Sequence, residues 1–128
     1  MALQYDPSVT AEAAGNIYAS NSLAAATAVN NTVDFSTNTL GGYVQVWNTG
    51  GGTVATVNGC QVAAYLAGDT TPHYDTIPFA GTIFTIPTTV STAARQSFFL
   101  PTGKWQVTLT NLDATNAITV EITSQPLA

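Results

Sequence analysis

The polar run Asp69-Thr70-Thr71-Pro72-His73-Tyr74-Asp75 is where side-chain chemistry is most concentrated in this chain. It holds the single histidine, with one carboxylate four residues before it and another two residues after. An imidazole between two carboxylates could hold a divalent metal, and a His–Asp pair could move a proton. With one His and one Cys in the whole chain, however, no nitrogen- or sulfur-rich shell can be completed. The spacing also lacks the alternating acids and closing Glu of a calcium loop. The run reads better as a Pro-containing surface loop whose Asp side chains make local turns. Neither a metal nor a cofactor is expected.

Nucleophilic catalysis has as little support. His73 is the only imidazole available as a base, and the chain has no Gly-x-Ser-x-Gly elbow. Cys60 falls on an apolar alternation, which predicts a buried, inert thiol. No facing pair of carboxylates stands out for glycosidase work, Glu121 being on the wet side of a strand. Gly50-Gly51-Gly52 lacks the Lys and the following helix of a phosphate loop. The expectation is a protein that is not an enzyme. Among the aromatics, Trp47 shares a strand face with Tyr43 and Gln45, opposite Val44 and Val46, and either face could point inward. Trp47, Tyr65 and Tyr74 could stack sugar rings, or serve as core and interface anchors. Trp105 follows a core alternation.

The elements that must carry these residues are strands. Trp105, Val107 and Leu109 alternate with Lys104, Gln106, Thr108 and Thr110, and Ile118, Val120 and Ile122 alternate with Thr119, Glu121 and Thr123. Each has one apolar and one Thr-rich face, the pattern of a half-buried strand. The turn-forming stretch Asn111–Asn116 between them predicts a closing antiparallel hairpin. Cys60, Val62, Ala64 and Leu66 alternate as well, and Asn58-Gly59 predicts a hairpin with Thr53–Val57. Further strands are expected at Tyr43–Trp47, Gly81–Ile86 and Arg95–Leu100, with a weaker one at Thr32–Ser36. Seven or eight short strands, punctuated by turns about every ten residues, predict an all-β antiparallel sandwich or small barrel of jelly-roll or immunoglobulin-like type.

Residues 1–30 read differently. They are rich in Ala, Ser and Asn, with Tyr5, Ile17, Tyr18 and Leu23 among their large apolar side chains. Gly15-Asn16 and Ser20-Asn21-Ser22 interrupt any helix. The expected organisation is an extended or weakly helical arm over 1–30 and a β domain over 31–128.

Composition narrows the function classes. Charged residues make up 7% of the chain, against about 25% in an average soluble domain. Two cations, Arg95 and Lys104, against seven acids cannot make a phosphate-binding face, so nucleic acid is not an expected partner. A basic membrane-surface helix is excluded for the same reason. Neither a signal peptide nor a transmembrane segment is expected from the sequence. Few charges give weak protection against association, which suits either a protein whose faces are covered by partners in a large assembly or one with a hydroxyl- and amide-rich surface, the assembly being favoured.

The segment Gly103-Lys104-Trp105-Gln106-Val107-Thr108-Leu109-Thr110-Asn111-Leu112-Asp113-Ala114-Thr115-Asn116-Ala117-Ile118-Thr119-Val120 resembles the C-terminal hairpins of small β proteins in tailed-phage virions, above all capsid decoration (cement) proteins. The resemblance extends in style to the plan of a low-charge N-terminal arm before a Thr- and Gly-rich β domain. It implies a structural subunit of a bacteriophage particle that sits on the virion as a homo-oligomer, commonly a trimer, and bridges neighbouring copies of the major capsid protein. Multivalency would make many weak contacts strong. Contacts are expected from Tyr5, Ile17, Tyr18 and Leu23 in the arm and from Trp47 and Tyr74 on the domain. The alternatives are a tail, neck or baseplate component, and a carbohydrate-binding or host-adhesion module.

Overall fold

The computed structural model describes residues 18–48, 59–68, 73–86 and 95–128, without the side chains of residues 18–21, 48 and 95. Among them are eight strands and no helix: β1 (Tyr18–Leu23), β2 (Ala28–Asp34), β3 (Gly42–Asn48), β4 (Cys60–Leu66), β5 (Phe84–Ile86), β6 (Arg95–Leu100), β7 (Lys104–Asn111) and β8 (Ile118–Pro126). They form two four-stranded sheets, ordered β1-β8-β3-β6 and β2-β7-β4-β5. Every pairing is antiparallel. Apart from β4 to β5, each strand is followed by one in the opposite sheet. This is the double-sheet jelly roll, one of the two all-β forms expected from the alternation.

The apolar half of each alternating strand faces the space between the sheets. Trp105, Val107 and Leu109 of β7 meet Val120 and Ile122 of β8 and Val44 and Val46 of β3 in one core cluster. Burying these side chains, at about 25 cal/mol per Å² of apolar surface, is the main force holding the sheets together. The buried indole of Trp105 donates Nε1–H to the carbonyl of Pro101 at 2.9 Å, so its polar atom is satisfied. Gly42 opens β3 where a Cβ would lie 2.5 Å from the Phe35 ring, so only glycine lets that buried phenyl lie against the strand.

Three expectations are corrected. First, β7 and β8 do not form a hairpin. Each is central in its own sheet, β7 between β2 and β4, β8 between β1 and β3, and the chain between them crosses the sandwich. Two strands with one apolar face each can bury those faces against each other only from opposite sheets; alternation reveals the face and not the sheet. The crossing is fixed by Asn111, whose Nδ2 donates to the carbonyls of Leu23, Ala24 and Asn116 at 3.3, 3.2 and 2.8 Å.

Second, residues 18–30 are not part of an arm. β1 pairs along its whole length with β8, from Tyr18↔Thr123 to Leu23↔Ile118, and β2 begins at Ala28. Its polar residues are tolerated because β1 is an edge strand that needs few apolar contacts. Leu23, expected as a contact residue, is 3% exposed and belongs to the core. Third, the strand expected over Gly81–Ile86 is only Phe84–Ile86, and the weaker one at Thr32–Ser36 lies earlier, at Ala28–Asp34. The expected Thr53–Val57 partner of β4 lies outside the described residues; those described give β4 the partners β5 and β7.

Segment 73–86 covers the free edge of β4 as an interrupted strand. Tyr74 bridges Ala67, Asp75 N–H donates to the carbonyl of Leu66 at 2.8 Å, and Phe79 N–H donates to that of Ala64 at 2.7 Å. Regular pairing resumes only at β5. In the gap the buried Thr82 hydroxyl replaces a strand carbonyl: it accepts the Ala64 N–H at 3.2 Å and donates to the Phe79 carbonyl at 2.6 Å. The side chain thereby satisfies a buried backbone donor that the irregular edge would leave unpaired.

Candidate functional site

The outward face of the first sheet is set by the same alternation that builds the core. With Val44 and Val46 turned in, β3 turns Tyr43, Gln45 and Trp47 out. The register then places Tyr43 between Phe99 of β6 and Gln125 of β8, and Gln45 between Ser97 and Thr123. Tyr43 and Phe99 are 48% and 43% exposed and meet edge to face, with ring centroids 5.6 Å apart. Gln45 Nε2 donates to Ser97 Oγ at 3.1 Å. Tyr43, Gln45, Ser97, Thr123, Ser124 and Gln125 line a shallow groove of about 340 Å³, and none of them is charged. β3 is hydrogen-bonded on both sides, so the floor of this groove is rigid.

A second exposed surface lies on the segment that covers β4. Ile77 and Ile83 are 78% and 54% exposed, and Phe79 is partly so while its ring meets Trp105 at 5.1 Å. Large side chains on an irregular edge have no facing sheet to bury them. They stand exposed along the segment beside a strand edge, with Asp75 two residues before Ile77.

The residues singled out from sequence are dispersed by the fold. Tyr5, Ile17 and Asp69 lie outside the described residues, and of Tyr18 only the backbone, on β1, is described. Trp47 is half-buried on the outer face of the first sheet, whereas Tyr65 and Tyr74 lie on the second sheet and its edge, so the three aromatics cannot form one platform. His73 and Asp75 are exposed. Among the described residues no three His, Cys, Asp or Glu side chains cluster as a metal would require. Cys60 is fully buried, and burial pushes its thiol up to about 12. Tyr43 and Phe99 were missed as a pair. β3 and β6 were both legible, but nothing local says that they are neighbours or which face is wet.

The carboxylate with the strongest local environment is Asp113, in the β7–β8 crossing. The backbone N–H groups of Thr115 and Asn116, each donating to Oδ1 at 2.8 Å, hold its carboxyl down at about 2. Asn111 Oδ1 in turn accepts the Asp113 N–H at 2.9 Å. These bonds stabilise a turn and face the chain itself, which makes Asp113 a structural group.

Comparisons with known proteins bear on the fold. No family model matches the chain, and no curated protein matches it. Among solved structures, a protein of Sulfurospirillum deleyianum superposes with a TM-score of 0.57 at 11% identity, over 87% of this chain and 96% of that one. The enzymatically active domain of tailspike protein 4 from bacteriophage CBA120 matches at 0.46 and 10% identity, over 90% of this chain and 20% of that one. The C-terminal CBM6 of LamC from Zobellia galactanivorans matches at 0.43 and 13% identity, over 84% and 98%. Among the described residues, no helix is long and apolar enough to cross a membrane. At 11% identity the likeness to the Sulfurospirillum deleyianum protein is one of fold alone, and it agrees with the all-β, two-sheet sandwich of this chain.

Proposed function

We propose that this chain is a non-enzymatic structural subunit of a virus particle, of the capsid decoration type, which assembles as a homo-oligomer and docks on the major capsid protein. The observation that carries the reading is the apolar segment of Ile77, Phe79 and Ile83, exposed on a protein whose charged residues amount to 7%. Large apolar side chains left in water at an irregular sheet edge mark an interaction surface, and a surface with few charges does little to oppose association. A rigid jelly roll supports such a surface without moving parts. A trimer is the oligomer expected from the sequence resemblance.

The test is the solution mass of the full chain by light scattering, alone and with shells of a major capsid protein, beside an Ile77→Asp, Ile83→Asp double variant. The reading expects a discrete oligomer or shell binding in the parent and loss of that association in the variant, with unchanged melting. A parent that stays monomeric and leaves every shell bare overturns it. So does a double variant that associates as well as the parent.

A further inference from the structure

From the outer face of the first sheet we infer a second, separate property: the groove between β3 and β8 is a binding site for a neutral glycan. Its chemistry matches such a ligand part by part. Tyr43 offers a half-exposed ring, steadied edge to face by Phe99, on which the C–H face of a sugar ring can rest. Beside it, Gln45 spends one N–H on Ser97 Oγ, which leaves the Ser97 O–H as donor and the Gln45 Oε1 as acceptor for ligand hydroxyls. Thr123, paired with Gln45 across the strands, adds a hydroxyl on the other bank.

Charge and size select the ligand class. Among the described residues no charged side chain lines the groove, so a sulfated, phosphorylated or carboxylated ligand would find nothing there to neutralise it, whereas uncharged hydroxyls pair with amides and hydroxyls. A volume of about 340 Å³ is at the small end of ligand sites, room for one or two sugar rings. Along β3, Trp47 lies on the same face four residues from Tyr43, about 13 Å away at strand rise. A longer chain laid along the strand would therefore reach a second aromatic, at the position that the register places between Arg95 of β6 and Glu121 of β8, beyond the uncharged part of the face. Because β3 is held by β6 and β8 on its two sides, the site is already formed, and little ordering cost falls on binding.

The experiment is calorimetric titration of the full chain with neutral hexasaccharides of glucose, galactose, mannose and xylose, and with a heparin hexasaccharide as the charged probe. At least one neutral probe is expected to bind with a dissociation constant below about 1 mM. Tyr43→Ala should weaken it at least about tenfold, or ~1.4 kcal/mol, and Gln45→Ala should also weaken it. Tyr65→Ala, on the opposite sheet, should bind as the parent does, and all three variants should melt with it. Silence from every neutral probe overturns the inference, as does preference for heparin or full binding by folded Tyr43→Ala. None of these outcomes depends on the oligomer or on shell binding, so the two readings fail separately.

Discussion

Replacing Thr82 by Val tests whether one hydroxyl closes the irregular edge of β4. The two side chains have nearly the same shape, and Thr82 is 2% exposed, so packing changes little. What disappears is the acceptor for the Ala64 N–H and the donor to the Phe79 carbonyl. The Phe79 carbonyl keeps the Thr82 N–H at 3.1 Å, but the Ala64 N–H has no other partner and is fully buried. A buried donor left unpaired costs ~1–3 kcal/mol, and the extra buried methyl returns up to ~0.8 kcal/mol. The net loss should be about 1–2 kcal/mol, or roughly 3–10 °C in melting temperature for a domain of this size. Thr82→Ser keeps the hydroxyl and gives up one methyl, so it should lose less. Urea and thermal melts followed by circular dichroism measure both, and hydrogen exchange at the Ala64 amide reports the bond itself. If Thr82→Val is as stable as the parent, or keeps Ala64 protected, the hydroxyl does not close the edge.

Two further outcomes follow from the crossing and from β1. Asp113 has its folded value near 2, below the ordinary 3.8, so its contribution is fully present above about pH 4 and is lost as pH falls through about 2. Asp113→Asn keeps an acceptor oxygen but cannot titrate, so the melting difference between parent and variant should shrink between pH 6 and pH 2; a constant difference would contradict the assignment. A chain begun at Asn31 would lose β1, half of β2 and the buried Leu23. It is expected to give no cooperative thermal transition, whereas an arm-only deletion would have left one intact.

Much of the fold was legible because alternation is a local property. The two-residue period marks Trp105, Val107 and Leu109, and again Ile118, Val120 and Ile122, as one face of a strand wherever that strand lies. Where the period was weak the reading failed. In Tyr-Ala-Ser-Asn-Ser-Leu of β1 the polar run Ser20-Asn21-Ser22 separates Tyr18 from Leu23 and hides the alternation, and the partner that makes such a strand viable is β8, about a hundred residues away. The candidate glycan groove was half legible: the shared face of Tyr43, Gln45 and Trp47 was visible, its outward direction was not.

By itself the sequence determined the all-β class, most strand positions, the buried state of Cys60 and the scarcity of charge that shapes every view of its partners. Only the tertiary structure decided that β7 and β8 part company, that residues 18–30 belong to the sandwich, and that Tyr43 meets Phe99 over Gln45 and Ser97. Side-chain periodicity is settled within a few residues, whereas strand partners are chosen by which arrangement buries all the apolar faces at once, and that choice belongs to the whole chain.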